Sequence, residues 1–111
     1  MGDRSTDLEA YSLDASSESW ESFAAGQMKF LRNDGSVQAG FWRCKVSEQP
    51  DIWEGEFEGD ETLLVLRGRV RIEVVGGPTV ELARGDSGSF VKGTVGRWKI
   101  LEDYEQFFVY S

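Results

Sequence analysis

The chain has 111 residues, of which 40% are apolar, including four Trp and seven Phe, enough to bury one core but not two. Its 20 acidic and 12 basic residues give a net charge of −8, which opposes the phosphate contacts needed by nucleic-acid-binding and anionic-membrane-binding proteins. We therefore expect no nucleic acid and no membrane as partner. Thirteen glycines suit short strands joined by tight turns, so the predicted class is all-β.

Cys44 is the only cysteine, and the sequence contains no histidine. An intrachain disulfide and a Cys–His nucleophile pair are both excluded. The first residues lack an apolar stretch after a basic end, so they do not resemble a secretory signal. We expect a protein of the reducing cytoplasm in which Cys44 is a small core residue.

The N-terminal residues 1–19 are polar and acidic and predict a flexible arm, followed by a single domain over 20–111. Trp20, Phe23 and Ala24 have the spacing of a short helical turn that would cover one end of a barrel. Many short apolar or alternating segments separated by turn residues then predict a sandwich or barrel. The predicted strands lie around Met28 and Phe30 and at 37–46, 52–57, 63–66, 69–74, 79–82, 89–91, 97–101 and 106–110.

The stretch 59–74, GDETLLVLRGRVRIEV, is the centre of this pattern. Four consecutive apolar residues, 63–66, predict a segment buried on both faces, which Gly68 ends. Strict alternation follows, with Val70 and Ile72 on the inner face. The buried residues expected from these segments are Leu64, Leu66, Val70, Ile72, Leu82, Trp98 and Ile100.

Two spaced motifs carry a family resemblance. Glu61 and Gly68 form E-x6-G, and Gly85-Asp86 is followed by Gly93 and an aromatic residue in the next strand. With the segments SWESFAAG, NDGSVQAGFWRC and GRWKILE, the chain resembles small single-domain cupins related to the ureidoglycine aminohydrolase and ethanolamine-utilisation cupins. The resemblance implies a small antiparallel β-barrel of the cupin type (double-stranded β-helix, or jelly roll). It also implies a site in the barrel mouth and, often, a homodimer.

Metal-binding cupins take ligands from an H-x-H pair, a Glu and a later His. The resemblance places the pair at about Glu54 and Glu56, the Glu at Glu61, and the later position near Gly96. Without histidine the usual iron, zinc or nickel site is not expected, and we predict no cofactor. The three glutamates are weak candidates for a hard cation such as Mg²⁺, Ca²⁺ or Mn²⁺. Alternation favours the other interpretation, in which Glu54 and Glu56 form a solvated face.

A small-molecule site is predicted from the aromatic residues and one carboxylate. Glu61 precedes the buried strand, and two roles are open for it: it can point into the barrel mouth, where burial would raise its pKa and a partner cation would lower it, or it can hydrogen-bond the adjacent turn. Should the chain catalyse a reaction, Glu61 with Tyr104 or Tyr110 are the candidate acid–base groups. The residues expected to line the ligand pocket are Glu61, Trp42, Trp53, Phe90, Trp98 and Phe108.

Three functions are compatible with these features. The first is a metal-free cupin that binds a small molecule or serves as an accessory module. The second is a lyase, isomerase or hydrolase that acts on a small polar metabolite through barrel-mouth carboxylates. The third is a dimeric interaction subunit whose exposed strand edge pairs with a second copy.

Overall fold

The computed structural model describes residues 20–111, and these residues fold almost entirely into antiparallel strands. The predicted arm over 1–19 lies outside the described residues. A short 3-10 helix, Val46–Glu48, follows the third strand, and no α-helix occurs within 20–111. The all-β prediction is confirmed. The strands are β1 Glu21–Ser22, β2 Gln27–Asn33, β3 Gln38–Cys44, β4 Trp53–Glu56, β5 Glu61–Val74, β6 Thr79–Ala83, β7 Ser87–Phe90 and β8 Val95–Tyr110.

The two long strands, β5 and β8, pair antiparallel along their whole lengths and organise the sheet. On its other side, each long strand pairs with one short strand near its start and with a different one near its end. β7 pairs with the first residues of β5 and β6 with its last, while β4 pairs with the start of β8 and β3 with its end. β2 and β1 extend the sheet beyond β3. This arrangement bends the sheet into the predicted jelly roll, although the sheet is not closed.

Three local predictions were wrong. The two strands expected on either side of Gly68 form one strand, β5, because both segments pair with β8. The helical turn expected at 20–24 is replaced by β1, whose backbone pairs with β2, while Phe23 is 54% exposed and has no burial to hold a helix in place. The two strands expected at 97–101 and 106–110 form one strand, β8. The residues between them stay in the ladder because Glu102 and Glu105 pair with residues of β5.

The inner face of β5 changes its phase along the strand. Leu63 and Val65 are buried at odd positions, whereas Val70 and Ile72 are buried at even positions. Gly68, with φ of 75°, lies between the two segments, where the pairing with β8 shifts register. The sequence pattern predicted burial on both faces, but Leu64 is 39% exposed on the outer face.

The core fills the space between the two halves of the bent sheet. Phe57 and Phe90 stack with ring centroids 4.8 Å apart, and Trp98 packs beside both rings. The predicted burial of Val70, Ile72, Trp98 and Ile100 is confirmed, while Leu66 and Leu82 are half-buried. Cys44 is a buried core residue, as expected. No helix within 20–111 is long and apolar enough to cross a membrane.

Candidate functional site

A chain of three polar side chains runs through this otherwise aromatic interior. The Tyr104 hydroxyl donates a hydrogen bond to Oε1 of Gln106 over 2.7 Å, and Nε2 of Gln106 donates to Oε2 of Glu61 over 3.2 Å. Tyr104 and Gln106 are buried, and Glu61 is half-buried. The two hydrogen bonds therefore connect a deeply buried phenol to a carboxylate that retains access to solvent.

Strand alternation places the three side chains on the inner face. Tyr104 and Gln106 are two residues apart on β8, in phase with the buried Phe108. Glu61 opens β5, in phase with the buried Leu63 and Val65. The glutamate of the E-x6-G motif therefore points to the interior, because the residues that follow it alternate between the inner and the outer face of β5.

The carboxyl group of Glu61 has an unusual electrostatic environment. Burial raises its pKa to about 7, although the hydrogen bond from Gln106 lowers it in part. No ion pair within 20–111 joins Glu61 to a lysine or arginine. The pKa of Tyr104 is raised by burial and by the neighbouring Glu61. Glu61 can therefore exchange a proton near neutral pH, whereas Tyr104 stays a hydrogen-bond donor.

Aromatic rings surround these three hydrogen-bonded side chains. Trp42 packs against Tyr104 with ring centroids 5.6 Å apart and against Trp98 at 6.1 Å, and its indole N–H donates to the Ala25 carbonyl over 2.8 Å. Phe90 pairs directly with Glu61 across β7 and β5. Four aromatic residues expected near the pocket, Trp42, Phe90, Trp98 and Phe108, therefore belong to the same cluster, although most of their surface is core.

Trp53 does not join this cluster. Its side chain is 49% exposed, and its ring lies over Gly55 on β4. β4 pairs only with the start of β8 and has no neighbour on its other side among the described residues. Trp53 pairs with the buried Trp98, so the two side chains lie on the same face of the sheet, but the edge position of β4 leaves Trp53 about half exposed. A place for Trp53 in the pocket stays a prediction.

The three glutamates considered as metal ligands are separated. Glu54 and Glu56 are exposed on the outer face of β4, and Glu54 lies 3.5 Å from the Arg97 guanidinium. Glu61 points to the interior. No group of three or more potential metal ligands occurs among the residues that the structure describes. The interpretation of Glu54 and Glu56 as a solvated face is the one that the structure supports.

Tyr110 lies at the open end of the site. It pairs with Glu61 across β8 and β5, so both side chains are on the same face of the sheet. Tyr110 also lines a surface cleft of about 220 Å³ together with Gln38, Glu58 and the turn at Gly35 and Ser36. This cleft lies beside the start of β5, and Glu61 itself is not among the residues that line it.

Gln106 was not among the predicted site residues. An amide has neither charge nor nucleophilicity, so its residue type gave no signal of chemistry. The signal that was available is its phase: Gln106 alternates inward between Tyr104 and Phe108 on a strand buried on that face. A buried glutamine at such a position needs hydrogen-bond partners, and here they are two of the three candidate acid–base residues, Tyr104 and Glu61.

Residues 31–108 match the model of the EutQ-like cupin domain. The chain belongs to this cupin family. Its resemblance to ureidoglycine aminohydrolase cupins stays a prediction. A comparison with curated proteins finds no match.

Solved structures of other cupins show the same fold. A putative ethanolamine utilization protein EutQ of Salmonella typhimurium is 19% identical, with a TM-score of 0.63 over 76% of this chain and 67% of its own. EutQ of Clostridium difficile is 17% identical, with a TM-score of 0.63 over 76% and 65%. KdgF of Halomonas is 20% identical, with a TM-score of 0.68 over 84% and 86%. This cupin spans about two thirds of the length of the two EutQ chains.

Proposed function

We propose that this cupin binds a small organic molecule in the barrel mouth, as a metal-free binding or accessory module of the cytoplasm. The observation that carries the proposal is a half-buried carboxylate, Glu61, held by Gln106 inside an aromatic interior without a cationic partner among residues 20–111. Burial of such a group destabilises a fold, and groups of this kind concentrate at binding and catalytic sites.

Glu61→Gln tests this proposal because it keeps the shape of the side chain and removes its charge. Compounds that stabilise the wild-type protein in a thermal-shift screen at pH 8 are expected to bind the variant about tenfold or more weakly, since a charge-assisted hydrogen bond is lost. Affinities are measured by calorimetry. Glu56→Gln, at an exposed position on β4, is the matched control and should bind like wild type. Equal affinities for wild type and Glu61→Gln would contradict the assignment.

A catalytic role is the second candidate, favoured by one observation. The pKa of Glu61 is raised to about 7, which suits a general acid or base at neutral pH. Tyr104 reaches Glu61 only through Gln106, and an amide does not relay a proton under ordinary conditions. In a lyase, isomerase or hydrolase, Glu61 would therefore exchange the proton itself, with Tyr104 fixing Gln106 and Tyr110 near the entrance.

A homodimer is a further proposal, which rests on the outer face of the β3–β8–β5 sheet. Leu64 and Val109 are 39% and 38% exposed there, and Phe107 pairs with both Leu64 and Phe41 in the ladder. Phe41 and Phe107 have ring centroids 5.4 Å apart. This contiguous apolar patch favours contact through the face of the sheet rather than through a strand edge.

Val109→Glu is expected to convert such a dimer to a monomer, because the new carboxylate would lie in the centre of the apolar contact. Size-exclusion chromatography with light scattering gives the mass. Val75→Glu introduces the same charge at a valine that is 54% exposed in the turn after β5, and it should leave the mass unchanged. A monomeric wild-type protein at about 100 µM, a concentration at which a standard interface is largely occupied, would refute the dimer.

A further inference from the structure

We propose that the ligand presents an organic ammonium group to Glu61, and that Tyr104, acting through Gln106, keeps this carboxylate in the role of acceptor. The inference rests on the proposed function, because it names the chemical class of ligand for the same site. It follows from the direction of two hydrogen bonds, from the charges that face the site, and from the aromatic rings beside it.

The two hydrogen bonds run in the same direction. The Tyr104 hydroxyl donates to the amide oxygen of Gln106, and the amide nitrogen of Gln106 donates to Glu61. Gln106 therefore offers Glu61 a donor and no acceptor. Oε2 of Glu61 accepts this bond, while Oε1 accepts none within residues 20–111. The second oxygen is therefore available to accept a hydrogen bond from a ligand donor.

The charge of Glu61 is not neutralised by the surrounding protein. Two exposed acids elsewhere in the fold do have cationic partners: Glu81 lies 3.2 Å from Arg71 and Glu102 lies 2.8 Å from Arg69. Tyr104, which is linked to Glu61 through Gln106, and Tyr110, the ladder partner of Glu61, carry no positive charge, and Glu58 in the cleft beside Tyr110 is an acid. A ligand cation would supply the missing charge, whereas an anionic ligand would place two negative charges together.

The neighbouring rings suit a cation with an apolar body. Phe90 and Tyr110 are the two ladder partners of Glu61, one on each side of β5. Aromatic faces attract ammonium groups electrostatically and also accommodate methylene groups. A neutral alcohol could donate to the free oxygen, but it would leave the buried charge unpaired. The site therefore discriminates in favour of an amine over an alcohol of the same shape.

Three probes of equal length and different charge test the ligand class: n-butylammonium, n-butanol and n-butyrate. Titrations at pH 8.5, followed by NMR through the Glu61 side-chain carboxyl carbon, are expected to give about tenfold tighter binding of butylammonium than of butanol, and no binding of butyrate. Glu61→Gln should remove this preference, and Glu56→Gln should keep it. Equal binding of butanol, preferential binding of butyrate, or no response to butylammonium would overturn the inference.

The two proposals fail in different ways. Compounds from the thermal-shift screen that depend on Glu61 but are neutral or anionic would overturn the ammonium class and leave the binding site intact. An absence of any compound that loses affinity in Glu61→Gln would overturn the site itself. A screen whose Glu61-dependent compounds are predominantly amines would support both.

Tyr104→Phe tests the positioning role. Without the hydroxyl, the Gln106 amide can rotate and accept a hydrogen bond from the protonated carboxyl, so the pKa of Glu61 should rise above its value of about 7. Butylammonium affinity falls as the pH decreases through this pKa, and the midpoint of that fall should move upward in the variant. Affinity well above the midpoint should stay within about twofold of wild type.

A structural role alone would reduce affinity at every pH and leave the midpoint in place, and that result would contradict the positioning role. Gln106→Met provides the second variant if Tyr104→Phe does not fold. It fills a similar volume and removes the donor to Glu61, so the midpoint should again move upward. An unchanged carboxyl titration in whichever variant folds would overturn this part of the inference.

Discussion

Gly68→Ala is expected to destabilise the fold by about 3 kcal/mol or more, the largest effect of any single glycine substitution discussed for this chain. Gly68 has φ of 75°, in the left-handed region that L-residues avoid. A Cβ atom at this position would also overlap the carbonyl oxygen of Asp103 on β8. The atoms that it would meet, in Asp103 and Glu102, are all backbone atoms, so one of the two long strands would have to move. Urea unfolding at pH 8 measures the loss.

Gly76→Ala separates the two causes. Gly76 has φ of 82°, but no atom lies within 4 Å of a Cβ built there. It therefore carries the conformational cost alone, about 1–2 kcal/mol. The difference between the two variants measures the close approach of β5 to β8. Similar losses for both would mean that the strands can separate at Gly68 without cost.

Gly68 also shows where the sequence pattern stopped being informative. The E-x6-G spacing, the order of the strands and the inner face at Val70 and Ile72 were all predictable. Which of the residues before Gly68 face the core was not predictable, because four consecutive apolar residues show no alternation. Only the pairing with β8 shows that Leu63 and Val65 face the core while Leu64 faces outward.

The candidate site was predictable to the same partial extent. Glu61 and Tyr104 were identified from residue type and position, and the structure links them through Gln106. The identity of that link could not be predicted, because it depends on a contact between residues 45 positions apart. The exposure of Trp53 was not predictable for a related reason. Its alternation is that of an inward residue, but the sequence does not reveal that β4 pairs with β8 alone.

Glu61→Gln is expected to stabilise the protein at pH 8.5 by about 1–3 kcal/mol. The pKa of Glu61 is raised from 4.5 to about 7 by burial. Between pH 4.5 and about pH 7 the folded protein keeps a proton that the unfolded chain has lost, so the stability of the folded protein falls as the pH rises. Below pH 4.5 the group costs little, and above pH 7 the full cost is present. Glutamine stays neutral throughout and avoids that cost.

The pH dependence distinguishes this explanation from a general improvement in packing. Urea unfolding at pH 5.5 should show a gain smaller by about 1–2 kcal/mol than the gain at pH 8.5, because the folded wild-type carboxyl is mostly protonated at the lower pH. Glu56→Gln, at an exposed glutamate of β4, should change stability by less than about 0.5 kcal/mol at either pH. A gain that is equal at both pH values, or a loss at pH 8.5, would show that Glu61 has a compensating partner in the folded protein. A gain in stability combined with a loss of ligand binding would instead mark Glu61 as a residue retained for function at a cost to the fold.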